Sequence, residues 1–317
     1  MNGKRHAVVI VNLGGPSNLD EVRPFLKQLF QDPDIFKFPF GRIGQNIFSS
    51  LIATLRAPKS RSYYAPIGNG SPIHANTLMQ ADKLQAFLQP HGDFTVLVAQ
   101  RYWHPFISEV VEDVRLGHYD VITLLPLFPH YSTTTTLSLI NEWRRQADGL
   151  PEPRIIERFY QEEGYLKTCV KKIQSVLERF DIKPHILFSA HSLPVKRILA
   201  GDPYEKEVTD NMELIMDRIG RDYTYSLCYQ SKIGPIKWLS PSFESAVNDL
   251  VEKDMRHILV FPISFVSEHV ETLYELDIQK RDYAIDRGIL QYERVDTVQD
   301  DDEFIRALRK LVLETVS

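Results

Sequence analysis

The sequence predicts an α/β protein built from two similar doubly wound modules, each a four-stranded parallel sheet flanked by helices. Three observations carry this. Continuous apolar runs stop abruptly at Gly, Pro or polar clusters, the mark of strands buried on both faces. Stretches with apolar residues at helical spacing separate the runs, which implies βαβ units. The runs also fall into two sets of four whose endings echo each other, and this reads as an internal duplication.

In chain order, the first set occupies residues 6–16 (HAVVIVNLGGP), 94–105 (FTVLVAQRYWHP), 120–132 (DVITLLPLFPHYS) and 154–160 (RIIERFY). The second occupies 185–194 (HILFSAHSLP), 223–235 (YTYSLCYQSKIGP), 257–269 (HILVFPISFVSEH) and 290–295 (LQYERV). NLGGP answers AHSLP at the end of each first strand, RYWHP answers QSKIGP, and PHYS answers SEH. Helical spacing is clearest at 19–31, 75–88, 106–116, 162–179, 203–219, 241–253 and 302–315. With no low-complexity linker, the helix at 162–179 divides the halves. The expected domains are 1–165 and 166–317, with the helix at 302–315 free to pack across both.

Composition narrows the function. A net charge of −5 over 317 residues argues against nucleic acid, which calls for a clustered basic excess. Two cysteines, Cys169 and Cys228, cannot supply a disulfide scaffold, a structural zinc ribbon or a four-cysteine iron–sulfur cluster. No apolar stretch approaches the roughly 18 residues of a membrane span. The basic Lys4 and Arg5 before an apolar run mimic a signal peptide, but Asn12 and the Gly-Gly-Pro turn make it a buried strand. GxGxxG after a strand, GxxxxGK[ST], HExxH and GxSxG are all missing, which disfavours dehydrogenases, phosphate-loop enzymes, zincins and α/β-hydrolases.

Open α/β sheets bind ligands beyond the carboxyl ends of their strands, and the unusual residues gather there. His191 in SAHSLP stands where a strand gives way to a loop. Imidazole suits proton transfer near neutral pH and ligation of divalent metals, although a histidine hydrogen-bonded in a loop fits the same position. In SEHVETLYELD, Glu268, Glu271 and Glu275 are spaced to share one face of a helix, with His269 among them. Such a row can pass a cation or protons; a solvated acidic face has the same spacing. Residues 35–59 interleave Phe36, Phe38, Phe40, Ile43, Ile47, Phe48, Leu51 and Ile52 with Lys37, Arg42, Arg56 and Lys59. This is either an apolar lip over a flat hydrophobic ligand or a helical hairpin packed in the core. Arg101, Tyr102 and Trp103 at one strand end, with Trp238 in the other half, suit a flat anionic ligand through stacking and carboxylate binding.

Taken together these motifs resemble the ferrochelatases. The shared residues are NLGGP, APK…YYAPIGNGSPI, RYWHP, PLFPHYSTTTT, SAHSLP with GDPY, QSKIGP with Trp238, and SEHVETLYELD, in order from about Val8 to the last helix. The resemblance implies two Rossmann-like domains around a porphyrin cleft and insertion of ferrous iron into protoporphyrin IX. By resemblance His191 and Glu271 are the active-site pair and the metal contacts. Arg56, Tyr64, Ser71, Arg101, Tyr102 and Trp238 lie near the porphyrin, and Glu268 and Glu275 form an acidic path. Leu13 stands where coproporphyrin-type relatives carry a tyrosine, which points to the protoporphyrin type. Iron is then a substrate and no prosthetic group is expected, since the C-terminal extension that holds a [2Fe–2S] cluster in some relatives is missing. The expected setting is cytoplasmic, with residues 35–55 available for peripheral contact at the inner face of the membrane, and the expected state is a monomer. The competing classes are a non-catalytic tetrapyrrole or metal carrier on the same fold, and a chelatase for another divalent metal.

Overall fold

A computed structural model describes residues 3–232 and 234–316. Ile233, in the QSKIGP run, lies outside the described residues.

The first sheet has the order β2-β1-β3-β4, formed by β1 (Arg5–Asn12), β2 (Asp93–Gln100), β3 (Val121–Pro126) and β4 (Arg154–Ile155). Every pairing is parallel, with Arg5 opposite Asp93 and His6 opposite Val121. The second sheet repeats that order as β6-β5-β7-β8, with β5 (His185–His191), β6 (Tyr225–Gln230), β7 (His257–Phe261) and β8 (Gln291–Arg294), again all parallel. Identical strand order in both halves is the structural counterpart of the echo in the sequence.

The period-2 alternation of the central strands sorts their side chains to two faces. In β1, Ala7, Val9 and Val11 join Val110, Val111 and Val114 of α4 (Ile107–Gly117) and Leu139, Ile140 and Trp143 of α5 (Thr136–Gln146). In the second sheet, Leu187, Ile258 and Val260 pack with Phe243, Val247 and Leu250 of α9 (Phe243–Glu252). Each fully buried aliphatic or phenyl group here contributes ~1.5–3 kcal/mol. The remaining helices are α1 (Val22–Gln31), α2 (Gly41–Tyr64), α3 (Ile73–Leu88), α6 (Glu163–Leu177), α7 (Val195–Leu199), α8 (Tyr204–Ile219), α10 (Arg281–Asp286) and α11 (Asp302–Val316). By its contacts the chain forms two compact units. One comprises the chain up to Phe128, Ser132–Arg158 and α11 from Ile305 on; the other comprises Pro129–Tyr131 and Phe159–Phe304. The dividing helix of the sequence reading, α6, therefore lies inside the second unit.

Several elements are shorter than their apolar runs. β4 holds only Arg154 and Ile155, because Phe159 and Tyr160 give their N–H groups to the Pro129 carbonyl instead of to the sheet. β2 stops at Gln100; RYWHP is a loop in which Arg101 and Tyr102 still donate to the carbonyls of Asn12 and Leu13. β6 likewise stops before SKIGP, at Ser231, whose φ of +65° places a non-glycine residue in the left-handed region. The glycine pair of NLGGP is a packing device. A Cβ on Gly14 would sit 2.5 Å from Gln100 Oε1, and one on Gly15 would sit 2.6 Å from Ser71 Cβ.

Residues 35–59 are not a hairpin. Most of them belong to α2, a single 24-residue helix packed on α1. Its buried stripe is made of small residues, Gly44, Ser49, Ala53, Ala57 and Ser60, ending at Tyr64. Five large apolar residues point outward: Ile43 is 72% exposed, Leu55 71%, with Ile47 and Leu51 between them and Phe40 just before. The segment is thus divided: small residues line the face turned to α1, half-buried Phe36, Phe38 and Phe48 stack in a row that continues to Phe30, and those five large apolar residues face solvent.

The acidic segment also departs from a plain α-helix. Glu268 and His269 precede the helix, and Glu271–Lys280 forms a π-helix that runs on into α10. The wider i→i+5 turn is rare and is found most often at functional sites.

Candidate active site

His191 is the last residue of β5, at the carboxyl end of the second sheet. Its backbone is held from two sides. Its N–H donates to Ser264 Oγ at 3.0 Å, and Tyr204 Oη, from the GDPY turn, donates to its carbonyl at 3.0 Å. The ring is thereby aimed at the π-helix, where His191 Nδ1 meets Glu271 Oε2 at 2.7 Å. The imidazole is 36% exposed and the Glu271 side chain 20%.

Ser231 ties the second carboxylate to the first. Its hydroxyl bonds Glu271 Oε2 at 2.8 Å and also Glu275 Oε2, while its N–H donates to Glu275 Oε1 at 3.0 Å. A serine hydroxyl carries one proton, so it can donate to only one of the two carboxyl groups at a time. Beyond Glu275 stands Lys280 Nζ, 3.6 Å away and also bonded to Glu244 at 2.5 Å. On the other side, His269 Nε2 is 3.8 Å from Glu271 Oε1, and its Nδ1 meets the Ser267 carbonyl at 3.0 Å.

The charges are distributed accordingly. Burial opposes a charged His191, but the charge and hydrogen bond of Glu271, with Glu275 behind it, outweigh that and raise its pKa. Burial likewise opposes the Glu271 carboxylate, yet His191 and His269 hold it well below the usual carboxylate range. Glu275 is raised, by burial first and then by the charge of Glu271, against the pull of Ser231 and Lys280. The pairing therefore favours the charged forms of His191 and Glu271, and behind them Glu275 holds a proton more tightly than an ordinary carboxylate.

Glu268, grouped with these carboxylates in the sequence reading, is not in this cluster. It is buried against Arg294, Nη1 to Oε1 at 3.0 Å, and accepts the Thr297 N–H at 2.7 Å. The row of three on one helical face fails because the helix starts after Glu268. Trp238 is near the histidine loop: residues 237–239 pair with Leu193–Val195, and the indole Nε1 is buried without a hydrogen-bond partner among the described residues. Ser231 and His269 complete the cluster. Ser231 was hidden in QSKIGP because only its left-handed backbone turns the hydroxyl toward the carboxylates.

In the first unit the residues expected near a ligand are placed very differently from one another. Arg56 on α2 is half-buried, 5.9 Å over the Phe30 ring. Ser71 is half-buried beside Gly15, and Tyr64 is buried at the end of α2. Tyr102 is 1% exposed and donates to Asp32 at 2.7 Å, so its ring has no face for stacking. Arg101 is spent on Asp32 at 3.1 Å, Glu142 at 3.5 Å and Ser138 at 3.1 Å. The flat-ligand reading of the Arg101–Tyr102 pair is corrected on this point: the pair builds a buried ionic cluster that anchors the residues leading to α2.

Two solved structures share the fold. SirB from Bacillus subtilis with Fe3+ matches with a TM-score of 0.57 at 12% identity, over 99% of this chain and 96% of that one. CbiX, the terminal enzyme for biosynthesis of siroheme in denitrifying bacteria, matches with a TM-score of 0.53 at 14% identity, over 99% and 100%. The likeness is one of fold: two four-stranded parallel sheets of the same strand order, each flanked by helices. The ferrochelatase family model matches residues 5–316. Ferrochelatases from Aquifex aeolicus and Gloeobacter violaceus are 43% and 39% identical, each over 98% of this chain and over 100% and 97% of their own lengths. The chain belongs to the ferrochelatase family.

Proposed function

We propose that the chain inserts ferrous iron into protoporphyrin IX in haem biosynthesis, with His191 and Glu271 as the reacting pair and Ser231–Glu275 as their proton outlet. The observation that carries this is the continuous hydrogen-bonded line from His191 Nδ1 through Glu271 and Ser231 Oγ to Glu275. Insertion must remove two pyrrole protons and strip the hydration of the metal. A bound ring distorted from planarity exposes a nitrogen lone pair to iron and an N–H to a base, with strain supplied by contacts elsewhere on the ring.

With Nδ1 committed to Glu271, Nε2 is the His191 atom left for the substrate. In its neutral form His191 keeps its proton on Nδ1, donated to Glu271, and accepts a pyrrole proton at Nε2; the imidazolium so formed then passes the Nδ1 proton to Glu271. Ser231 relays that proton by donating its hydroxyl hydrogen to Glu275 as it accepts one from Glu271. Glu275 receives it as a carboxylate, a form that Lys280 and the Ser231 hydrogen bonds favour, and its raised pKa relative to Glu271 gives the transfer its direction. One imidazole and hard carboxylates hold Fe²⁺ moderately and exchange it readily, which suits transfer. Iron is the substrate here, and no prosthetic group is needed. In support, the chain has two cysteines, Cys169 and Cys228, both fully buried, where a [2Fe–2S] cluster takes four thiolates.

The test is anaerobic incubation of the protein with Fe²⁺ and protoporphyrin IX, followed by loss of porphyrin fluorescence and growth of the haem spectrum. Many turnovers per chain support the proposal. Stoichiometric binding without metallation, also with coproporphyrin III and with Co²⁺ or Zn²⁺, refutes it.

The outward row on α2 supports peripheral attachment to the inner face of the membrane. Among the described residues no helix is long and apolar enough to cross a bilayer. Ile43, Ile47, Leu51 and Leu55 follow one another at i,i+4, and exposed Lys37, Arg42 and Lys59 flank them, a pattern suited to an anionic surface. Ile47→Glu with Leu51→Glu is expected to cut sedimentation with phosphatidylglycerol vesicles at least ~10-fold, since each apolar side chain withdrawn from water contributes ~1.5–3 kcal/mol. Unchanged sedimentation would remove this face from membrane attachment.

A further inference from the structure

The π-helix that carries Glu271, together with Glu268 just before it, is tied to the edge strand β8 at three points. Arg294, the last residue of β8, has a side chain only 7% exposed. Its guanidinium grips Asp277 through Nε at 2.5 Å and Nη2 at 2.8 Å, and grips Glu268 through Nη1 at 3.0 Å. Two residues back along β8, Tyr292 Oη donates to the Leu276 carbonyl at 2.8 Å. Glu268 lies three residues before Glu271 and Asp277 six after it, so one guanidinium spans the segment that presents the reacting carboxylate.

We infer that Arg294 is a positioning residue for iron insertion, holding Glu268 and Asp277 so that the π-helix presents Glu271 to His191. The inference rests on the reading of His191 and Glu271 as the reacting pair and deepens it. Two physical arguments support it. A π-helix is the least favoured of the helical forms, so its persistence over Glu271–Lys280 calls for ties from outside the helix. A buried ion pair is in general a poor source of stability compared with apolar packing, and its best-attested use is to fix one arrangement among several. Burial opposes the Glu268 carboxylate, but Arg294 and the Thr297 N–H more than offset it, so the tie is between full charges. Arginine suits the task because its fork reaches two carboxylates in fixed directions, which an ammonium cannot do.

The experiment compares Arg294→Lys, Asp277→Asn and the double variant with the parent chain, measuring kcat, KM for protoporphyrin IX and thermal unfolding. Lysine keeps the charge and loses the fork. Asp277 is about a third exposed, so Asp277→Asn decides the matter even where Arg294→Lys fails to fold. Each folded variant should lose about 10-fold in kcat, the scale of an orienting contact, with KM unchanged. The double variant should be no worse than the more damaged single one, because both break the same link. Parent-like kcat in both folded variants overturns the inference, as do additive losses or a rise in KM with kcat kept. Glu271→Gln run alongside separates the two levels. Full activity in that variant overturns the underlying pair, whereas its loss beside an unaffected Asp277→Asn overturns the role of Arg294 alone.

Discussion

Replacing His191 with alanine is expected to lower the rate of iron insertion by about 10³-fold, within the range for loss of a positioned base. The fold should survive. The imidazole is partly exposed, and the hydrogen bonds that hold residue 191 run through its backbone N–H and carbonyl, which alanine keeps. Porphyrin binding, followed by fluorescence quenching, should therefore persist while turnover is lost. Retained turnover would remove His191 from the chemistry. Parallel loss of binding and turnover would make it a recognition residue.

Glu271→Gln should cost about 10²-fold or more, and it carries a second signature in pH. In the parent chain the base form of His191 appears only as pH rises through a value above the ordinary 6.5, so kcat/KM should climb across that range. Without the glutamate charge, burial dominates and the histidine midpoint should fall below 6.5. NMR titration of the His191 ring in both proteins measures this directly; an unmoved midpoint would refute the pairing. Stability follows the same linkage. The raised histidine contributes fully below its unfolded value near 6.5 and loses that contribution as pH climbs through the raised one. The depressed Glu271 contributes above the ordinary carboxylate range and loses its share only as pH falls through its lowered value. Thermal melting against pH should reveal both limbs.

Strand positions and their grouping into two sets of four were legible because burial on both faces leaves unbroken apolar runs, as in Ala7–Val11 and Ile186–Phe188. What stayed hidden was geometry that periodicity does not encode. The π-helix has no pattern of its own in ETLYELDIQK, so Glu268 read as a third member of the acidic row and its partner Arg294 went unnoticed. Tyr102 looked like a ligand-facing ring because strand ends usually face a cleft, yet the loop after Gln100 folds it onto Asp32. In contrast, His191 could be picked out from its strand-end position, whereas Glu271 was set apart from the acidic row only by the resemblance to the ferrochelatases, and the serine that links it to Glu275 by neither.

α2 carries a consequence for how this molecule can change over time. In most helices the large apolar residues secure the fold, so altering them is penalised by instability before any effect on function is felt. Here the buried residues of α2 before its last turn are small, Gly44, Ser49, Ala53, Ala57 and Ser60, while Phe40 just before the helix and Ile43, Ile47, Leu51 and Leu55 on it face solvent. The outward row is thus free to drift in size and polarity with little cost to folding. Descendants of this chain can retune that surface by substitution at five positions, whereas one added methyl group on the inward stripe would disturb the packing of α2 on α1.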